Sequence, residues 1–343
     1  MKYFLSLLCL IFLLGACKST AVVMNQEDPS QNVIPRASKS DVIMASSSNS
    51  IEQNSITSFE LKETVEFLAS DDLKGRRTGS VGIEQAALFI ENKFKAANLP
   101  PYFETYRDSF KVGKKHAYNL VGFLEGQDKH LKDEVVIIGG HYDHIGYGKM
   151  VETDSIANGA NDNAAGTSAV LALAKYFAEN KTNGRSLMFV LFSAEEMGLL
   201  GAKHLAGKLK AEEVDLYTLL NFEMIGVPFT DRDYIAFITG YKTSNLAERM
   251  NAYAGYKLVG FSEISEQYQL FRASDNYPFY EAFKLPSHTI SSCDLSNYDY
   301  YHHVYDEADK LDYHHMASFV NQMIPVIEKI SQTETKEITL HHE

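Results

Sequence analysis

The sequence predicts an α/β sandwich: a mostly parallel mixed sheet covered by helices on both faces, in three layers. Three observations lead there. Short apolar runs with strand character alternate with longer segments of helical period. Clusters of His, Asp and Glu follow directly after the apolar runs, where open α/β sheets place their sites. No internal repeat and no second composition regime divides the chain between about residue 56 and its end.

Taken in order, the chain opens on an address. Lys2 precedes an apolar stretch, Tyr3 to Leu14, interrupted only by Ser6. The stretch is too short for a stable bilayer span and fits a signal-peptide core. It ends in Leu14-Gly15-Ala16-Cys17, which resembles the bacterial lipoprotein box, in which the Cys becomes the lipidated first residue. An ordinary small-residue cleavage site is the alternative. The reading is therefore an exported protein with a signal peptide over 1–16, anchored to a bacterial membrane through Cys17, periplasmic or at the cell surface. Several acyl chains anchor stably where one does not. Residues 17–55 are rich in Ser, Asn, Gln and Thr, with Pro29 and Pro35, and read as a flexible tether.

A single folded body is expected over 56–335, with a tail over 336–343. Ser58 to Ala69 reads as a helix with Leu61, Val65 and Leu68 on one face. Ile83, Ala86, Ala87, Ile90, Phe94 and Ala97 repeat at helical spacing until Pro100-Pro101 stops them. Strands are expected at Tyr118 to Leu124, Glu134 to Ile138, Ser186 to Phe192, Leu216 to Phe222 and Tyr234 to Ile238. Helical patterns run over Ala164 to Ala178, Gly198 to Leu209, Thr243 to Ala254 and Tyr313 to Ile330.

Bulk properties narrow the function. The 343 residues, 45% hydrophobic and 22% charged, suffice for a sizeable core. The net charge of −13 argues against nucleic acid and anionic lipid surfaces as partners. Three cysteines are too few for a disulfide framework. Cys293, the one in the body, reads as a buried small hydrophobe rather than a reactive thiol.

The polar clusters carry the chemistry. Val135 to Ile138 leads into Gly139-Gly140-His141-Tyr142-Asp143, a His past a strand end with an acid two residues on, as suits a metal ligand and its orienting carboxylate. Asp162, before a helix, is either an N-cap or a carboxylate able to bridge two cations. Glu195 and Glu196 follow an apolar strand. Neighbouring residues point apart, so one can bind metal while the other faces water as a base. Glu223 follows a further apolar run, and Tyr301-His302-His303 lies near the end. His303, His314 and His315 read as surface residues or as supports behind a site, rather than as ligands. Mixed His and carboxylate ligation suits zinc, with cobalt or manganese as substitutes.

At this point the sequence resembles the co-catalytic zinc exopeptidases, the family of secreted bacterial leucyl aminopeptidases, aminopeptidase S and glutamate carboxypeptidase II. The matching segments are Leu68 to Gly79, Asn119 to Gly122, Gly140 to Gly146, Ala160 to Thr167, Phe192 to Gly201, Asn221 to Gly226 and Ser274 to Phe279, in family order. The resemblance implies two zinc ions bridged by Asp162, with Glu196 and His302 completing one site and His141 and Glu223 the other. It implies Glu195 as general base, Asp143 as the partner of His141, Asp306 as a supporting acid, and a cis peptide at Asp162-Asn163. Three departures stand out. Glu223 occupies a position where the family has Asp, and it can loosen that site. His302-His303-Val304 replaces His-Thr-Pro. Ser274-Asp275-Asn276 replaces Ser-Asp-His.

The function so implied is removal of N-terminal residues from peptides. Peptides are the expected partners, and membrane contact runs through Cys17 only. Three alternatives remain. A single-zinc glutaminyl cyclase has a Trp before the last His, where this chain has Tyr301. A carboxypeptidase or amino-acid deacylase needs a basic anchor such as Arg272. A non-catalytic relative, as in the transferrin receptor branch, is expected to lose ligands that this chain keeps.

Overall fold

The computed structural model describes residues 55–341. The expected signal peptide, Cys17 and the tether up to residue 54 lie outside the described residues. The chain begins with helix α1 (Ser58–Leu68), capped by the Thr57 hydroxyl, which accepts from Glu60 N at 3.2 Å. Helix α2 (Val81–Ala96) is capped in the same way by Ser80. Strands β1 (Arg107–Val112), β2 (Lys115–Leu124), β3 (Glu134–His141), β4 (Gly146–Val151) and β5 (Asp154–Ala157) follow. Helix α3 (Gly166–Asn180), strand β6 (Ser186–Phe192), helix α4 (Leu200–Ala211) and strand β7 (Asp215–Phe222) form the centre. Then come β8 (Ala236–Ile238), α5 (Leu246–Ala254), β9 (Val259–Gly260), α6 (Glu263–Gln267), α7 (Asn276–Phe283), β10 (Ser287–Ser291) and α8 (Tyr313–Gln332).

Eight strands make one mixed sheet in the order β1-β2-β6-β3-β7-β10-β8-β9, while β4 and β5 pair separately. The four strands β6, β3, β7 and β10 are mutually parallel, so their carboxyl ends share one edge. The chain leaves β3 through α3 to reach β6 on one side, then crosses through α4 to β7 on the other. That reversal beside β3 opens a crevice at the strand ends. Alternate strand residues face opposite layers. Val136 and Ile138 pack with α1, α2, α3, α5 and α8, whereas Val135 and Ile137 pack with α4 and Phe279 of α7. The buried guanidinium of Arg185 fastens the end of α8 to this layer. It donates to the Ile330 and Thr333 carbonyls at 3.0 and 2.7 Å and pairs with Glu134 at 2.6 Å.

The sandwich and its mixed sheet agree with the sequence expectation, and the five expected strands and six expected helices form within a few residues of their predicted limits. Strand β10 was invisible to pattern because Ser-His-Thr-Ile-Ser has one large apolar residue, although all five positions are buried. Its polar side chains are satisfied by α7: Ser287 Oγ donates to Asn276 O and Thr289 Oγ1 to Asn276 Oδ1, each at 2.8 Å. The expected tail is packed against the body: Ile338 is buried, and its N–H donates to the Tyr217 hydroxyl at 2.9 Å.

His288 in β10 links this polar strand to stability. Its Nδ1 lies 2.8 Å from the Thr239 carbonyl, which can only accept, so Nδ1 carries the proton and Nε2 accepts from Ser244 Oγ at 2.7 Å. Burial holds the imidazole neutral and lowers its pKa from 6.5 to about 4. The unfolded chain gains this proton near pH 6.5 and the folded chain only near pH 4, so the stability it contributes is complete above 6.5 and is lost as pH falls between those values. The stability difference between wild type and His288→Asn, measured by urea unfolding in chelator, should shrink by about 2 kcal/mol between pH 7 and pH 5.

Candidate metal centre

Three parallel strands deliver the acidic and imidazole groups. Strand β3 ends on His141, β6 leads through Ser193-Ala194 to Glu195-Glu196, and β7 leads directly to Glu223. The β5–α3 loop adds Asp162, and the loop after β10 adds His302. His141 Nε2 lies 3.2 Å from Asp162 Oδ1. His302 Nε2 lies 3.3 Å from Asp162 Oδ2 and 3.0 Å from Glu196 Oε2. Asp162 thus faces His141 with one oxygen and His302 with the other, and its peptide bond to Asn163 is cis. His141, Glu195 and Glu223 offer donor atoms within 4.8 Å of one another.

The supports are backbone-directed. His141 Nδ1 lies 3.1 Å from the Asp143 carbonyl oxygen but 3.9 Å from its carboxylate, so the carbonyl orients the ring. The Asp143 carboxylate instead accepts from Glu195 N at 3.1 Å and from the Thr78 hydroxyl at 3.0 Å, fixing the start of the Glu195-Glu196 segment. Asp306 accepts from the Asn161 and Asp162 N–H groups at 2.8 and 3.0 Å and from the Tyr298 hydroxyl at 2.6 Å. Asn163 Oδ1 accepts from Gly166 N and Met224 N, and Asn161 Oδ1 from Gly226 N, which ties the Asp162 loop to the end of β7. The Glu223 carboxylate accepts from the Ser274 hydroxyl. The ring of Tyr301 stacks on His302 with centroids 4.0 Å apart. His303 turns elsewhere, its Nδ1 accepting from Tyr305 N at 3.0 Å.

Beneath the site, sequence reading missed the fully buried Arg76. It donates to four carbonyls: Nε to Tyr142 at 2.9 Å, Nη1 to Leu68 at 2.5 Å and Asn158 at 2.6 Å, and Nη2 to Gly159 at 2.9 Å. It binds no carboxylate directly, but its charge faces Asp306, Asp162 and Asp143. His144 was also given no role. It is buried, with Nδ1 2.9 Å from Glu196 Oε1, and shares donor-atom range with Asp162 and Glu196.

Crowded carboxylates dominate the electrostatics. Burial, with Glu223, Asp275 and Glu196 added, raises Glu195 well above the usual range despite His141. Burial and then the Asp162 charge push Glu223 up to about 7 against the pull of His141. Asp275 is buried with neither oxygen hydrogen-bonded, and burial raises it likewise. Conversely, contacts with His141 and His302 outweigh burial and hold Asp162 well below the ordinary carboxylate range. His141 Nε2 and Glu196 Oε1 are buried without a hydrogen-bond partner. Buried polar atoms left this way call for an unseen partner. They fall in two separate donor groups, His141 with Glu195 and Glu223, and Glu196 with His144 and Asp162, so a cation in each group would satisfy them, and the nitrogen and oxygen donor set suits zinc. Beside these groups opens a cavity of about 430 Å³, with Phe237, Leu270, Arg272, Cys293 and Tyr301 among its walls.

Comparison with known proteins places this architecture. Residues 119–327 match the family described as Peptidase family M28, and the chain belongs to that family. Leupeptin-inactivating enzyme 1 of Streptomyces exfoliatus is 31% identical over 164 residues, 47% of this chain and 34% of that protein. The fold is similar to that of BSAP, a zinc aminopeptidase from Bacillus subtilis, with a TM-score of 0.64, 14% identity and coverage of 84% of this chain and 98% of that one. It is also similar to the fold of Porphyromonas gingivalis glutaminyl cyclase, with a TM-score of 0.61, 13% identity and coverage of 80% and 98%. The chain spans only about a quarter to a third of the first curated relatives it matches.

Replacing Arg76 tests the buried support. Arg76→Met should strip a donor from four buried carbonyls, of which that of Gly159 keeps the Ala164 N–H at 3.2 Å, and cost at least about 3 kcal/mol in urea unfolding of the metal-free protein. A loss below 1 kcal/mol, on the order of one ordinary hydrogen bond, would mean the carbonyls find other partners.

Proposed function

We propose that this chain is an aminopeptidase that removes N-terminal residues from peptides with two zinc ions. The observation that carries the reading is the gathering of His141, Asp162, Glu196, Glu223 and His302 around one crevice, with Glu195 among them and a cavity alongside. Membership of Peptidase family M28 supports it, as do relatives named as aminopeptidases. Asp162 is read as shared by both sites, Glu196 and His302 as ligands of one ion, and His141 and Glu223 as ligands of the other. Zinc held there supplies Lewis acidity, polarising a carbonyl and acidifying water.

The chain's own groups do the rest. Glu195 takes the proton of the attacking water and returns it to the leaving amine. Its raised proton affinity, set by burial and by Glu223 and Asp275, suits a base that must also act as an acid. The Asp143 carboxylate holds the Glu195 backbone in place. The Tyr301 phenol is half-exposed, and partial desolvation with the Asp162 and Glu196 charges holds its proton more firmly still, so it can donate to the oxyanion. Acidic walls favour the cationic α-amine of a free N-terminus, and the adjoining cavity receives its side chain.

A single-zinc glutaminyl cyclase is the second reading, because the Glu223 carboxyl leans toward its neutral form and is engaged by Ser274. A panel of amino-acid amides, an N-acetylated peptide and an N-terminal Gln peptide, each with and without chelator, separates the readings. We expect chelator-sensitive release from free amines only. Glu195→Gln should lower kcat by about 100-fold or more while zinc content stays at the wild-type level. Ammonia release with cyclisation of the Gln peptide, or loss of zinc from Glu195→Gln, would overturn the assignment.

We also propose export and lipid anchoring at Cys17, supported by Lys2, the apolar stretch to Leu14 and Leu-Gly-Ala before the cysteine. Cys17→Ala should move the protein from the membrane to the soluble fraction of expressing cells. Equal membrane retention of both forms would exclude anchoring through this residue.

A further inference from the structure

His144 stands outside the five-ligand set, yet it is among the most buried polar side chains of the site. Its side chain is 0% exposed, and neither ring nitrogen has a hydrogen-bond partner. Nδ1 lies 2.9 Å from Glu196 Oε1, another buried atom without a hydrogen-bond partner, and 3.7 Å from Asp162 Oδ2. Two unpartnered buried atoms this close, and not aligned to bond each other, converge on a common third partner. His302 closes the opposite side, its ring 5.7 Å from that of His144 and inclined at 67°.

The spacings bracket those of one centre. Four donors about 2.0–2.2 Å from a tetrahedral zinc stand roughly 3.3–3.6 Å apart. His144 and His302 lie 3.7 and 3.3 Å from the same Asp162 oxygen, and 2.9 and 3.0 Å from the two oxygens of Glu196, within a few tenths of an ångström of that range. The fold also makes room for this ring. Gly159, at φ +60°, lies so close that a Cβ there would fall 2.5 Å from the imidazole Cγ. The carbonyl of that glycine is held by Arg76, whose own carbonyl accepts from His144 N at 3.4 Å. One buried residue therefore holds both the ring's cradle, through its guanidinium, and its backbone, through its carbonyl.

We propose that His144 is a protein ligand to the ion shared by Asp162, Glu196 and His302, which closes this site with four side chains while the site at His141 and Glu223 keeps an open position. The inference rests on the zinc reading above. A closed site retains its ion, and an open one can admit water or substrate. The two sites are then unequal, the first built to hold and the second to react.

The test counts imidazoles. The full chain is loaded with cobalt(II), and paramagnetic proton NMR records the exchangeable, hyperfine-shifted ring N–H signals, one for each coordinated imidazole. We expect signals from His141, His144 and His302 in the wild type and loss of one in His144→Gln. Zinc affinity of the tighter site, measured by chelator competition, should fall more than about 100-fold in that variant, beyond the 10- to 100-fold loss typical of an outer partner. A wild-type protein that binds two ions but shows only two imidazole signals overturns the role of His144 and leaves the zinc reading standing. A wild-type protein that binds neither zinc nor cobalt overturns both. The wild-type count does not depend on whether the variant folds.

Discussion

Mutual repulsion of carboxylates is the constraint around which this molecule is arranged. Asp143, Asp162, Glu195, Glu196, Glu223 and Asp275 crowd one crevice, and burial alone would drive their protons on. Neither oxygen of Asp275, nor Glu196 Oε1, has a hydrogen-bond partner. Taking such groups from water costs several kcal/mol each unless charge is balanced nearby. Arg76 beneath provides part of that balance. Cations held between the carboxylates would provide the remainder, so metal binding and the integrity of this region belong to one energetic problem.

The sheet solves the positional half of that problem. Parallel strands bring their ends to one edge, and the reversal beside β3 leaves space there. Second-layer contacts then aim each group. Asp306 grips two successive N–H groups of the Asp162 loop, Asn161 and Asn163 bind that loop to the end of β7, and Asp143 grips Glu195. Most of these contacts run from side chain to backbone. They place loops rather than single side chains, which is how a site made of loops acquires the rigidity of the strands beneath it.

The readable part of the fold was the part governed by burial. Strands such as Ser186–Phe192 are apolar throughout, and a fully buried strand announces itself that way. Strand β10 did not, because its hydroxyls and imidazole are satisfied by α7, Thr239 and Ser244, partners no local pattern reveals. In the site, groups directly after apolar strands were legible by position. His144 and Arg76 both lie inside segments that prompted the family resemblance, but nothing local distinguishes a convergent His from a surface one, or an Arg that binds carbonyls from a solvated one. Spacing pointed to the Asp143 carboxylate as the partner of His141. Only geometry distinguished it from the carbonyl of the same residue.

Cys293 sits on the wall of the cavity, and burial pushes its thiol up to about 12. Attack by disulfides and peroxides requires the thiolate, which is all but absent at that value in neutral solution. Among the described residues it is the only cysteine. A cavity-facing sulfur is thus held as the neutral thiol, and thiol–disulfide exchange would find no foothold there.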